Sequence, residues 1–163
     1  MATKTLQDLF HDTLRDIFYA EKQILKALPK MAQGAQSPDL KAAFEKHRVE
    51  TEGQVDRLEQ VFKIIGKTAR GKKCEAIEGI LAEGDEILDE FMGSPALDAG
   101  LISSAQAVEH YEITRYGTLK RWAIVLGMKD AAKLLDETLR QEGATDESLT
   151  ALADTAANAK AMA

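Results

Sequence analysis

Four stretches of this chain repeat apolar residues at intervals of three and four, and each repeat has a carboxylate standing in an apolar position. The spacing predicts amphipathic helices. The acids restrict what such helices can pack into, because an ionised carboxylate in a dry core is costly unless it is paired or bound to a cation. Over 5–33 the inward positions read Leu14, Ile17, Glu21, Ile24 and Leu28. Over 38–65 they read Ala43, His47, Glu50, Gln54, Leu58, Val61 and Ile65. Over 96–126 they are Ile102, Ala105, Glu109, Glu112, Tyr116 and Leu119, and over 129–158 Leu135, Leu139, Glu142, Asp146 and Leu149.

Local signals place the boundaries. Ser37 is a candidate N-cap with Pro38 at the first helical position, and Gly66 stops the second helix. A loop rich in Gly, Lys and Arg follows over 66–73, then a shorter amphipathic helix over 75–92 with Ile77, Ile80, Leu81, Ile87, Leu88 and Phe91 on one side. Cys74 reads as a small residue at its entry. Gly93-Ser94-Pro95 breaks the chain again, and Gly127 separates the last two helices. Pro29, inside the first helix, predicts a kink or an early end there. Aromatics make up only 6% of the 163 residues, which suits helices better than strands. The fold class expected is all-α: one domain over 1–163, an antiparallel four-helix bundle with one long crossover. The short helix between helices two and three should lie outside the bundle core and carry the chain from one end to the other.

Several function classes are disfavoured. A net charge of −6 argues against nucleic acid as a partner, since a coating protein needs a basic face to displace counterions. The single cysteine rules out an intrachain disulfide and a Cys-based zinc or iron–sulfur site. No apolar run approaches the roughly 20 residues of a membrane span, and the charged start is unlike a signal peptide. A cytoplasmic protein without a membrane partner is the expectation.

The acids also carry a weak internal duplication. Shifted by 91 residues, Glu21 falls on Glu112 and Leu28 on Leu119; shifted by 92, Glu50 falls on Glu142 and Gln54 on Asp146. Phe44 falling on Asp136 breaks the match. Two related hairpins would bring Glu21, Glu50, Glu109 with Glu112, Glu142 and Asp146 toward one centre. Two divalent cations bridged by carboxylates would resolve the repulsion. Residues at i and i+3 or i+4 share a helix face, so His47/Glu50, Glu50/Gln54 and Glu142/Asp146 can each reach that centre. Di-iron bundles usually carry Glu-x-x-His on two helices. Here position 53 is Gly and position 145 is Thr, with His47 three residues before Glu50 instead. His11 and His110 read as peripheral, and Tyr19, Tyr111 and Tyr116 as core packing.

The segments Asp16-Ile-Phe-Tyr-Ala-Glu-Lys-Gln23 and Ala27-Leu-Pro-Lys-Met31 resemble the YciF-like stress proteins, a ferritin-like group once catalogued as a domain of unknown function. His47-Arg-Val-Glu-Thr51 with Gln54, Cys74-Glu-Ala-Ile-Glu-Gly79, Val108-Glu-His-Tyr-Glu-Ile113 and Glu142 with Thr145-Asp146 extend the resemblance over nearly the whole chain. It implies a ferritin-like bundle similar to the rubrerythrin core, a two-metal site, homodimers and a role in bacterial stress. By matched position the leading ligands are Glu21, Glu50, Glu112, Glu142 and Asp146. Glu109 replaces or joins Glu112, Gln54 is a weak neutral ligand, and His47 stands beside them. All-oxygen ligands suit iron or manganese. The leading function is a protein handling peroxide or oxygen at that site, with an unknown electron donor. The alternative is a non-enzymatic dimeric stress or interaction module with a weak or vestigial metal site. Leu9, Phe10, Phe18 and Leu25 fall beyond a single stripe and are the residues expected to meet a second copy.

Overall fold

A computed structural model describes residues 3–163. Four long helices form the bundle: α1 (Leu6–Gly34), α2 (Pro38–Ile64), α4 (Leu97–Val125) and α5 (Lys129–Leu152), with the shorter α3 (Glu75–Glu90) between α2 and α4. A π-helical turn (Ala153–Ala157) and a last short helix, α6 (Asn158–Ala161), follow α5, so that segment runs past the end near 158 that the sequence suggests. There is no strand among the described residues. No helix among them is long and apolar enough to cross a membrane.

Caps fix where the helices begin. Thr5 and Asp8 form a capping box at α1, and Ser37 accepts from Leu40 N ahead of Pro38 at α2. Gly66 and Gly127, at φ +66° and +74°, let the chain leave α2 and α4 by the left-handed turn that a side chain disfavours. Pro29 does not end α1, which continues through it to Gly34. Leu28, Met31 and Ala32 around it are buried, and their packing offsets the lost hydrogen bond.

Short connections make α1 and α2 one hairpin and α4 and α5 the other. Contacts of α1 with α4 and of α2 with α5 close the square. The crossover runs along the outside. Lys72 N donates to Arg15 O at 3.0 Å, Lys72 Nζ pairs with Asp12 Oδ2 at 2.6 Å, and Lys30 on α1 meets Asp85 on α3 at 2.6 Å. α3 therefore packs on α1 and α4, and α4 starts at the end where α1 stops. There the carboxylate of Asp98 accepts from Gln36 N at 2.7 Å and Ser37 N at 2.8 Å. All neighbouring bundle helices are antiparallel.

The stripes differ from the sequence reading in two places. On α2, Phe44 and Thr51 point inward where Ala43 and Glu50 were expected. Burying the large Phe44 ring is worth more than burying a methyl group, and it rotates the helix by part of a turn. On α5, Thr138 is buried and Leu139 only partly. The residues expected to meet a second copy also divide. Phe10 and Phe18 are buried inside the chain, with Phe18 edge-on to Phe62 at 5.3 Å. Leu9 is exposed and Leu25 half-buried.

Candidate metal centre

Halfway along the bundle the apolar core gives way to acids. Leu14, Ile17, Phe18, Leu58, Val61, Phe62 and Leu119 fill one end, and Leu28, Leu40, Phe44, Leu101, Ile102 and Leu149 fill the other. Between them each long helix contributes inward polar residues from its middle turns. Glu109 and Glu112 are one turn apart on α4 and so share a face. His47 comes from α2, Glu142 from α5 and Glu21 from α1.

His47, Glu109, Glu112 and Glu142 each offer a donor atom, and the four atoms lie within 4.8 Å of one another. Nδ1 of His47 is 3.2 Å from Oε1 of Glu109, and Nε2 is 3.7 Å from Oε2 of Glu142. Glu21 lies against Glu112 and accepts a hydrogen bond from the Tyr116 hydroxyl. These side chains are sealed: His47 is 3% exposed and the four glutamates 0%. Both carboxylate oxygens of Glu109, Glu112 and Glu142, together with Oε2 of Glu21 and Nε2 of His47, have no hydrogen-bond partner. Such orphaned atoms are rare in a folded interior, and each asks for a cation or a proton.

Burial governs the electrostatics. It raises Glu21 to about 8, with the charge of Glu142 adding to the rise and the Tyr116 hydroxyl opposing it. Burial likewise raises Glu109 and Glu112 well above the ordinary carboxyl range, and Glu142 above it. The raised carboxyls stand in two pairs, Glu112 against Glu21 and Glu109 against Glu142, and a proton on the first of each pair would bridge to the second. Burial pushes His47 down to about 4, so its imidazole is neutral and keeps a lone pair free for a metal. A neutral imidazole and four carboxylates in a dry pocket form a donor set for hard or borderline divalent ions, and the orphaned atoms fit such ions.

The other expected ligands stand apart. Glu50 is outside the group of four. Its side chain is 23% exposed, with Oε1 3.7 Å from Lys46 Nζ and Oε2 accepting from Thr145 Oγ1 at 3.4 Å. The duplication makes Glu50 and Glu142 equivalent, but the rotation of α2 gives the inward place to His47. Asp146 turns to the flank between α4 and α5, where it accepts from Gln106 Nε2 at 3.2 Å and meets His110 Nε2 at 3.1 Å. Gln54 is buried with its amide against Glu142 and Gln141. Glu109 and Glu112, left as alternatives by the sequence, both belong to the cluster.

Three contributors were not anticipated. Tyr116 is core packing, but its hydroxyl also serves Glu21. The buried Thr51 donates to His47 O at 2.8 Å and so satisfies itself within α2. Arg57, which is not among the predicted inward positions of α2, reaches across to Gln141 Oε1 at 2.7 Å, Thr138 Oγ1 at 3.1 Å and Glu137 Oε1 at 2.8 Å. From there its charge lowers Glu21 and Glu142. The signal for Arg57 lay in its length, since a long side chain carries its charge a turn away from its own stripe.

Comparison with known proteins agrees with this architecture. The chain is 44% identical to protein YciF of Escherichia coli K12 over 162 residues, which is 99% of this chain and 98% of that one. The crystal structure of the E. coli stress protein YciF superposes with a TM-score of 0.91 at 43% identity, covering 96% of this chain and 99% of that one. The YcfI protein of Rhodopseudomonas palustris gives a TM-score of 0.88 at 46% identity, covering 90% and 94%. Residues 5–162 match a family described as a domain of unknown function, DUF892. The chain belongs to the DUF892 family and is a YciF-like protein.

Proposed function

We propose that this protein is a stress-associated metal protein whose buried carboxylate cluster holds two divalent ions, iron or manganese, and handles peroxide or oxygen there. The observation that carries the reading is the set of orphaned oxygens on Glu109, Glu112 and Glu142 beside a neutral His47. His47 and Glu109 form one neighbourhood and Glu21 the other, while Glu112 and Glu142 interact with both. When bound, the ions would supply electron exchange with peroxide or oxygen. The chain's own work is to position and to exclude. Tyr116 orients Glu21 by its hydrogen bond. Thr51 keeps its hydroxyl on the His47 carbonyl, away from the cluster. The apolar layers above and below keep bulk water out, which strengthens every charge interaction inside. Glu109 and Glu112 give up their protons as cations enter. The stress association comes from the relative, YciF, which is described as a stress protein.

A second reading has its own support. Protons on Glu112 and Glu109, bridging toward Glu21 and Glu142, would satisfy much of the cluster without metal, and Arg57 offsets a further charge. On that reading the protein is a non-enzymatic structural or interaction module.

Metal analysis of protein purified without chelator, followed by anaerobic titration with Fe²⁺ or Mn²⁺, separates the two. The first reading expects up to two ions per chain and a melting temperature that falls on chelation. The Glu112→Gln/Glu142→Gln double variant should bind no metal and melt independently of it. Absence of bound metal together with metal-independent melting of the wild type would leave the structural module.

A further inference from the structure

The cluster is sealed from solvent, so any ion that occupies it must enter through the wall of the bundle. The flanks nearest the cluster are not equally closed. Along one part of the α2–α5 seam, the guanidinium of Arg57 is fixed by Gln141, Thr138 and Glu137, and it sets a positive charge against an incoming cation. Between α4 and α5, Asp146 is tied to Gln106 and His110. Further along the α2–α5 seam lies a cleft of about 70 Å³, lined by Lys46, His47, Glu50, Thr145 and Ser148 with the apolar Phe44 and Leu149.

We infer that this cleft is the entry port for a divalent cation, with Glu50 as the carboxylate that receives the ion and passes it to His47 and Glu142. The inference rests on the metal reading above. Three observations support it. His47 lines the cleft and is also one of the cluster residues; it is 97% buried, since 3% is exposed, and its Nε2 has no partner. Glu50 stands between water and the interior, partly exposed yet close enough for its charge to act on Glu142. The contacts that hold Glu50 are loose: 3.4 Å to Thr145 Oγ1 and 3.7 Å to Lys46 Nζ lie at or beyond the end of the hydrogen-bond range. A cation arriving at the mouth can displace both without breaking a strong bond. Lys46, 72% exposed, then acts as a mild electrostatic brake at the rim.

An entry port changes rates and leaves affinity alone, because a barrier on the path slows binding and release by the same factor; a ligand changes affinity. The probe is Co²⁺ added to metal-free protein, followed by its visible absorption in stopped flow, with release measured into excess chelator and affinity by equilibrium titration. Ser148 is exposed at the mouth. Ser148→Phe should slow both uptake and release roughly tenfold or more with the dissociation constant unchanged. Ser103 on α4, also exposed, provides the control, and Ser103→Phe should leave both rates unchanged. Lys46→Gln should speed uptake roughly threefold to tenfold at low ionic strength, an effect that fades as salt rises. Glu50→Gln should slow uptake and release alike, by a much larger factor than the small change in dissociation constant that follows from losing its charge near Glu142. Unchanged rates in Ser148→Phe and Lys46→Gln, with Co²⁺ still bound, would overturn the port and leave the metal site intact. A Glu50→Gln variant that loses affinity in proportion would make Glu50 a ligand and overturn its role in transfer. Failure of the wild type to bind Co²⁺, Mn²⁺ or Fe²⁺ at equilibrium would instead remove the metal reading on which the port depends.

Discussion

Tyr116 gives its hydroxyl to a carboxylate that no solvent reaches, and Glu21 holds it in place. Tyr116→Phe keeps the ring and its packing but leaves Glu21 Oε1 without a donor. Removing one partner of a buried bond to a charged group costs about 1.5–3 kcal/mol. The metal-free variant should lose stability by about that much in urea unfolding above pH 8, and its loss should shrink as pH falls below that, where Glu21 carries a proton of its own. At this scale the sequence was legible where a residue's position alone decides its role. Glu21, Glu109, Glu112 and Glu142 are visible as acids on apolar stripes. It was not legible where reach decides. Arg57 acts from a neighbouring stripe through three methylenes. His47 was readable as an inward residue beside Glu50, but that it and not Glu50 reaches the cluster follows from the rotation Phe44 gives α2, and that rotation depends on what the other helices offer the ring. Glu50 moves to the edge by the same rotation, although its spacing to Gln54 is as good as that of Glu142 to Asp146.

Packing between elements turns on small residues. A methyl group at Gly100 on α4 would lie 2.7 Å from Cγ2 of Ile87 on α3, whereas at Gly117 on the same helix it would meet nothing within 4 Å. The Ile87 methyl sits on a β-branched carbon close to its own backbone and cannot simply swing aside. Overpacking of this kind costs about 1–3 kcal/mol, against a gain of about 0.5–1 kcal/mol from replacing a helical glycine by alanine. Gly100→Ala should therefore destabilise the protein by about 1 kcal/mol, and Gly117→Ala should stabilise it by about 0.5–1 kcal/mol. Paired chemical denaturation curves decide the matter, and stabilisation by both would mean that α3 is not held tightly on the bundle. The helices and their order were readable because 3.6-residue periodicity, caps and glycine stops all agree. The side of the bundle on which α3 would lie was not readable, because it depends on close approaches such as Gly100 to Ile87 and Gly34 to Leu88, and a lone glycine in a helical pattern does not announce its neighbour.

The whole molecule carries its unsettled charge at one height, and this sets how its stability responds to pH. Glu21 goes from an ordinary value of 4.5 to about 8 in the fold, and Glu109, Glu112 and Glu142 move in the same direction. Groups raised on folding bind more protons when folded than when unfolded. Their contribution is complete below the unfolded value and is lost as pH climbs through the folded one. His47 runs the other way: lowered from 6.5 to about 4, it adds stability above the unfolded value and loses it as pH falls through the folded one. The two effects oppose each other between about 4.5 and 6.5, and above that only the carboxyls act. Metal-free protein should therefore lose stability steadily from pH 6.5 to 8, by about 1.4 kcal/mol per pH unit for each proton released. Divalent ions replace those protons, so loaded protein should show a flat or rising profile over the same window. Unfolding by urea at several pH values, with chelator and with saturating Mn²⁺, gives both curves. A flat metal-free profile would mean that the carboxyls are already ionised in the folded protein, with Arg57 and the Tyr116 hydroxyl offsetting their charge. Parallel profiles for the two samples would mean that Mn²⁺ does not bind where the carboxyls titrate, and the bundle would then keep its acids for packing rather than for an ion.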